Sequence, residues 1–162
     1  MLSRLIKIVH WSALAGVLGG CALSLPYQSV RQTSALDTPD AEKPTMVTVV
    51  ITQATLDPQN RTAFDDHTQR MLAGMASHTG LLGYSARRQI FGNVVWTMTA
   101  WKSDVAVNDF VYSPVHQQAI RAGSKGLVAA RFGRFELPAS RLPLSWDEAL
   151  ALLETAPATI AY

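Results

Sequence analysis

Between Met46 and Leu137 the spacing of apolar side chains switches between a period of two and a period of 3.6 in the order β-α-β-β-α-β, and few folds accept that order. Met46 to Leu56 is rich in Val, Ile and Thr and ends at the turn signal Asp57-Pro58, which predicts a strand. Asn60 caps a predicted helix in which Phe64, Met71, Leu72 and Met75 recur at helical spacing, and Gly80 stops it. Leu82 to Phe91 and Val94 to Lys102 read as two strands joined at Gly92-Asn93, the length and chemistry of a tight hairpin. Helical spacing returns from Val105 to Tyr112. Ser113-Pro114 then restarts a helix to about Ala122, because proline suits a first turn where its missing N–H is no loss. Leu127 to Leu137 is the fourth strand, so residues 46–137 are expected to form an α+β, ferredoxin-like βαββαβ domain. Ser145 and Glu148 have the spacing of a capping box ahead of Ala149, Leu150, Leu152 and Leu153, which predicts an extra helix in a C-terminal extension, residues 138–162.

A four-stranded sheet with both helices on one face leaves its other face to be covered. In the third strand Trp96, Met98 and Ala100 point one way and Val95, Thr97, Thr99 and Trp101 the other, so neither face is fully polar. Two protomers stacked sheet on sheet would bury both, and a homodimer is expected, with the Ser145 helix at the periphery. A monomer could stand only if that helix covered the sheet itself.

The amino terminus is of a different kind. Arg4 and Lys7 precede a mostly apolar run, Ile8 to Gly20, which ends at Cys21, the single cysteine of the chain. A basic start followed by a short apolar run is the layout of a signal peptide, and the run is short for a membrane span. Leu18-Gly19-Gly20-Cys21 resembles the lipobox of bacterial lipoproteins, which implies acylation of Cys21 and an exported, membrane-anchored protein of the cell envelope. The alternatives are an uncleaved anchor, ordinary secretion, or a start at Met46. Residues 22–45, with Pro26, Pro39 and Pro44 among polar residues, read as a flexible tether behind a 1–21 signal peptide. One cysteine permits no intramolecular disulfide.

Charge is informative through its distribution. The formal net charge is only +2, no argument for a nucleic-acid partner, but residues 87–141 hold eight basic against three acidic side chains. The segment after them carries only Asp147, Glu148 and Glu154, so a basic surface facing an acidic tail, or an anionic ligand, is expected. His67 and His78, eleven residues apart, would lie about 16 Å apart along a helix, too far to share a metal. Gly123-Ser124-Lys125-Gly126 leaves a helix instead of opening one and reads as a turn, not a phosphate loop.

The run Thr97-Met98-Thr99-Ala100-Trp101-Lys102-Ser103, followed by Asp109-Phe110 and Ser113-Pro114-Val115-His116, resembles the antibiotic-biosynthesis-monooxygenase-like domains of the dimeric α+β barrel superfamily. That resemblance implies a cofactor-independent monooxygenase that oxidises a phenolic or quinol-type substrate with dioxygen, a non-catalytic envelope-surface ligand-binding or interaction domain, or, as a lesser alternative, haem binding or degradation. The first needs a base and a dry pocket beside the substrate. His116 and His67 are the candidate bases, Trp101, Trp96, Tyr84 and Phe110 the candidate walls, and Arg88 the candidate holder of an anion. His67 also reads as a hydrogen-bonded histidine at the edge of the core, and that is the commoner role for such a residue. The two tryptophans also read as core or dimer packing, again the commoner role. For the haem-degrading branch, alignment on Trp101-Lys102-Ser103 puts its Asn, Trp and His at Thr52, Phe110 and Ala119 or Ile120, with His116 one turn earlier.

Overall fold

A computed structural model describes residues 21–30, 44–156 and 160–161, and all of the expected 1–21 signal peptide except Cys21 lies outside the described residues. In chain order the strands and helices are β1 (Ala22–Ser24), β2 (Gln28–Ser29), β3 (Met46–Leu56), α1 (Arg61–Met75), β4 (Leu81–Gln89), β5 (Val94–Trp101), α2 (Asp104–Val111), α3 (Pro114–Gly123), β6 (Leu127–Pro138), α4 (Trp146–Glu154) and β7 (Ile160–Ala161). The sheet runs β1-β4-β5-β3-β6-β7, with β2 also paired to β4, and every pair is antiparallel. Its inner four strands, β4-β5-β3-β6, have the ferredoxin-like arrangement that the element order requires.

The local signals act where the sequence places them. Ser103 and Ser113 accept hydrogen bonds from the backbone N–H of Ala106 and His116, capping α2 and α3. Pro114 begins α3, and this proline separates two helices that the apolar spacing alone would run together. Lys102 N–H donates to the Gly80 carbonyl at 2.8 Å, which ties the start of β4 to the end of β5. The β4–β5 hairpin turns over residues 90–93, and Gly92 adopts φ +150° there, a backbone that side chains with a Cβ rarely take.

The period of β5 separates two cores. Val95, Thr97, Thr99 and Trp101 face α1, α2 and α3, where Met75, Leu81, Trp101, Val107 and Phe110 are buried together. Met98 and Ala100 face the other way and join Val47, Val49, Ile51, Leu82 and Leu137. This second face corrects one expectation. The Ser145 helix, α4, does not lie at the periphery: its Ala149 and Leu153 are buried in that second core, with Leu144 ahead of it and Trp146 and Leu152 packed against it. The physical reason is area, because seven apolar sheet residues offer α4 more surface to bury than any rim does. The capping box forms as expected, with Ser145 and Glu148 satisfying each other's backbone N–H groups.

Residues 22–30, the first part of the expected 22–45 tether, are not free chain: they add β1 and β2 to the edge of β4, and Tyr27 packs into the α4-side core, while residues 31–43 lie outside the described residues. Gly83 makes room for Tyr27, since a Cβ there would strike its ring. Burial pushes the Tyr27 hydroxyl up to about 12. The basic segment does meet the acidic tail: Arg131 pairs with Glu154 at 3.0 Å and Arg141 with Glu148 at 3.2 Å.

Candidate functional site

Between the sheet and α1, α2 and α3 lies a cavity of about 400 Å³. Its floor is Val50, Thr52 and Ala54 of β3, Val95, Thr97 and Thr99 of β5, and Ala130 and Phe132 of β6. Register explains why these meet: Thr52 sits opposite Thr97 on one side and opposite Phe132 on the other, so the three point to the same face. The roof is Met71 and Met75 of α1, Val107, Phe110 and Val111 of α2, and His116, Ala119 and Ile120 of α3. Ile120 and Phe132, 46% and 51% exposed, mark its mouth. The volume suits a small ring system, and the lining is mostly apolar with a few hydroxyls.

His116 is the titratable base in this lining. It stands in the first turn of α3, where the Ser113 cap fixes its backbone at 3.3 Å. Its Nδ1 lies 3.0 Å from the Val111 carbonyl oxygen, which also accepts a bond from Gln117 Nε2 at 2.8 Å. A carbonyl only accepts, so Nδ1 carries the hydrogen and Nε2 keeps the lone pair of the neutral ring. The ring packs at a tilt against Phe110, centroid to centroid 4.5 Å, and Phe110 in turn meets Trp101 at 5.1 Å and His78 at 4.8 Å. Burial lowers the pKa of His116, and the charge of nearby His78 lowers it further, against the opposing effect of the Val111 bond. The site therefore holds an uncharged imidazole at neutral pH.

Trp101 and Phe110 line the cavity, and Trp101 Nε1 donates to Thr99 Oγ1 at 2.8 Å. Trp96 does not. Two-residue alternation turns it to the α4 side, where Nε1 donates to Gln53 Oε1 at 2.9 Å and the Arg87 guanidinium lies 5.8 Å from its ring. Tyr84 is on the cavity's face of the sheet but packs into the core beside it. Arg88 is drawn to Asp65 of α1 at 3.0 Å, so its charge is held away from the cavity. His67 lies on α1, and its side chain is outside the described residues.

The arginine that does line the cavity is Arg134, which β3–β6 register places opposite Val50. Its Nη1 contacts Asp104 Oδ1 at 2.9 Å and Asn108 Oδ1 at 2.7 Å, so α2 offsets part of its charge at the wall. Thr52, Phe110, Ala119 and Ile120, the positions that correspond to the haem-degrading set, all line the same cavity, and none of the four is an iron ligand. Among the described residues no three His, Cys, Asp or Glu side chains cluster to hold a metal ion.

The antibiotic biosynthesis monooxygenase family model matches residues 46–122. A comparison with curated proteins gives no match. Solved structures match the fold: a conserved protein from Methanosarcina mazei (TM-score 0.53, 11% identity) covers 56% of this chain and 92% of its own. A Pseudomonas aeruginosa protein (TM-score 0.53, 14% identity) covers 57% and 95%. A Nitrosomonas europaea protein provisionally assigned as an antibiotic biosynthesis monooxygenase (TM-score 0.52, 10% identity) covers 60% and 93%. These neighbours are matched over nearly their full length while two fifths of this chain has no counterpart in them. Residues 46–122 thus match the antibiotic biosynthesis monooxygenase family model, and the domain that holds them has the ferredoxin-like α+β fold of these solved structures.

Proposed function

We propose that the cavity oxidises a small phenolic or quinol-type substrate with dioxygen, without a bound cofactor, and that His116 is its base. One observation carries this reading: a neutral imidazole, oriented by Val111, lines an apolar cavity of ring-system size. Nε2 takes the phenolic proton, and the apolar walls leave the resulting anion poorly solvated and electron-rich. A phenol with a free ring position then balances without an external reductant. The ring C–H and the O–H break, one oxygen atom becomes the new carbonyl, and the other leaves as water with both hydrogens. Thr52 and Thr97 offer hydroxyl groups to orient the substrate oxygen. The test is oxygen uptake with hydroquinones and naphthols. Uptake by the wild type and its loss in His116→Ala is the expected result, and equal uptake by both removes His116 from the mechanism.

A second reading is favoured by Arg134, whose contacts to Asp104 and Asn108 leave less positive charge for an oxyanion. On it the cavity binds the same ligand class without turning it over, and saturable binding with no oxygen uptake separates the two.

For location we propose lipid attachment at Cys21. Its exposure at the head of β1, directly after the apolar run, supports this. Among the described residues no helix is long and apolar enough to cross a membrane. Mass spectrometry of the mature amino terminus decides it, and any terminus other than acylated Cys21 refutes it.

A further inference from the structure

The β4–β5 hairpin ends in an apolar tip. Phe91 is 86% exposed and Ile90 38%, and Leu23 of β1, 61% exposed, stands beside them. β1 brings these together: Leu23 pairs with Arg88, Ala22 with Gln89, and the Ile90 N–H donates to the Cys21 carbonyl at 2.8 Å. The point at which the chain enters the domain is thus bonded to the hairpin. Neighbouring antiparallel strands lie about 5 Å apart and consecutive Cα atoms 3.8 Å apart, so residue 21 lies within about 10 Å of Phe91.

On both membrane-attached readings of the amino terminus, the uncleaved anchor and the acylated Cys21, the lipid-soluble part of the chain joins the domain at residue 21. The twenty residues outside the described structure on that side end in the apolar run Ile8 to Gly20, joined directly to Cys21. If the run is kept it is a membrane anchor, and if it is replaced by acyl chains on Cys21 they enter the bilayer at the same place. No free tether intervenes, because β1 begins at the next residue.

We propose that this tip, Phe91 with Ile90 and Leu23, sits in the boundary between lipid headgroups and acyl chains, so that the bilayer covers it and the domain lies on the membrane surface. The inference rests on the membrane attachment proposed above, but not on which chemistry makes it.

The test uses the full chain on vesicles of phosphatidylethanolamine and phosphatidylglycerol with brominated acyl chains, which quench nearby tryptophan. Phe91→Trp is compared with Val105→Trp, an exposed position just past the opposite end of β5, roughly 25 Å away at about 3.3 Å per residue. The contribution of the added tryptophan, taken as the difference from wild type, is expected to be quenched at least threefold more at position 91. A chain that floats with the vesicles but shows equal quenching at both positions overturns the inference and leaves the attachment standing. Concentration-dependent pairing through the tip with no quenching also overturns it, with a second copy as the occupant. A chain that does not float removes the attachment, and the inference falls with it.

Discussion

The Val111 carbonyl lies 3.0 Å from Nδ1 of His116, five residues away across the α2–α3 junction, and that one acceptor decides which nitrogen of the ring is free to act. Because burial, then the charge of His78, lowers the His116 pKa, the neutral base survives to lower pH than an ordinary imidazole near 6.5. The acidic limb of kcat/KM for a phenolic substrate should therefore fall below pH 6.5, and a limb above it would count against His116. His116→Gln should lower kcat by about 10²- to 10⁴-fold, the usual range for a lost general base.

The same shift has a stability consequence of fixed sign. A folded-state pKa below the unfolded value means that the unfolded chain binds the proton more tightly. Stability from this group is complete above pH 6.5 and is lost as pH falls from there through the lowered folded value. Denaturant titrations from pH 8 to pH 5 should show that loss in wild type and a flatter profile in His116→Gln.

Filling the cavity should separate binding from folding. Ala119 lines it from α3, a helix with no fully buried side chain, so a larger side chain there can enter the cavity without displacing core. Ala119→Trp is expected to abolish ligand binding, measured calorimetrically, while the thermal midpoint changes by only a few degrees. Retained affinity would place the ligand elsewhere.

Trp101 is 1% exposed and its Nε1 donates to the hydroxyl of Thr99, two residues away on the same strand face. Thr99→Val keeps the shape and leaves that buried N–H unpaired, at a cost of about 1–3 kcal/mol. Urea denaturation measures it, and an unchanged midpoint would mean that the indole finds another acceptor.

The fold was legible because each signal in it is local. Pro114 and the Ser113 cap mark the break between α2 and α3, and the two-residue period of β5 assigns Met98 and Trp101 to opposite cores. The cavity was legible only where a single element decides the matter, as at His116 and Phe110. Arg134 and Thr52 needed the pairing of β3 with β6 and β5, which is long-range register that no spacing along one strand encodes. Arg88 was drawn off by Asp65, a partner twenty-three residues away. Likewise, the apolar stripe of α4 says that the helix must bury a face, but not which surface receives it.

That surface is where a second protomer was expected, and α4 already occupies it. Val47, Val49, Ile51 and Met98 can meet a partner sheet only if Ala149 and Leu153 leave. Expelling them would return their apolar area to water and break the contacts of Trp146, including its Nε1 bond to Ser85 Oγ at 3.1 Å. We therefore expect no sheet-to-sheet dimer. In hydrogen exchange the amides of α4 should be protected, whatever mass light scattering gives for the protein. Leu153→Ala should lower stability by about 2–5 kcal/mol, as for a large-to-small change in a packed core, whereas Ser145→Ala should cost only about 1 kcal/mol by uncapping the helix. A dimer in which α4 exchanges as freely as an unfolded segment would show the sheets meeting with the helix expelled, and would overturn this account of the second face.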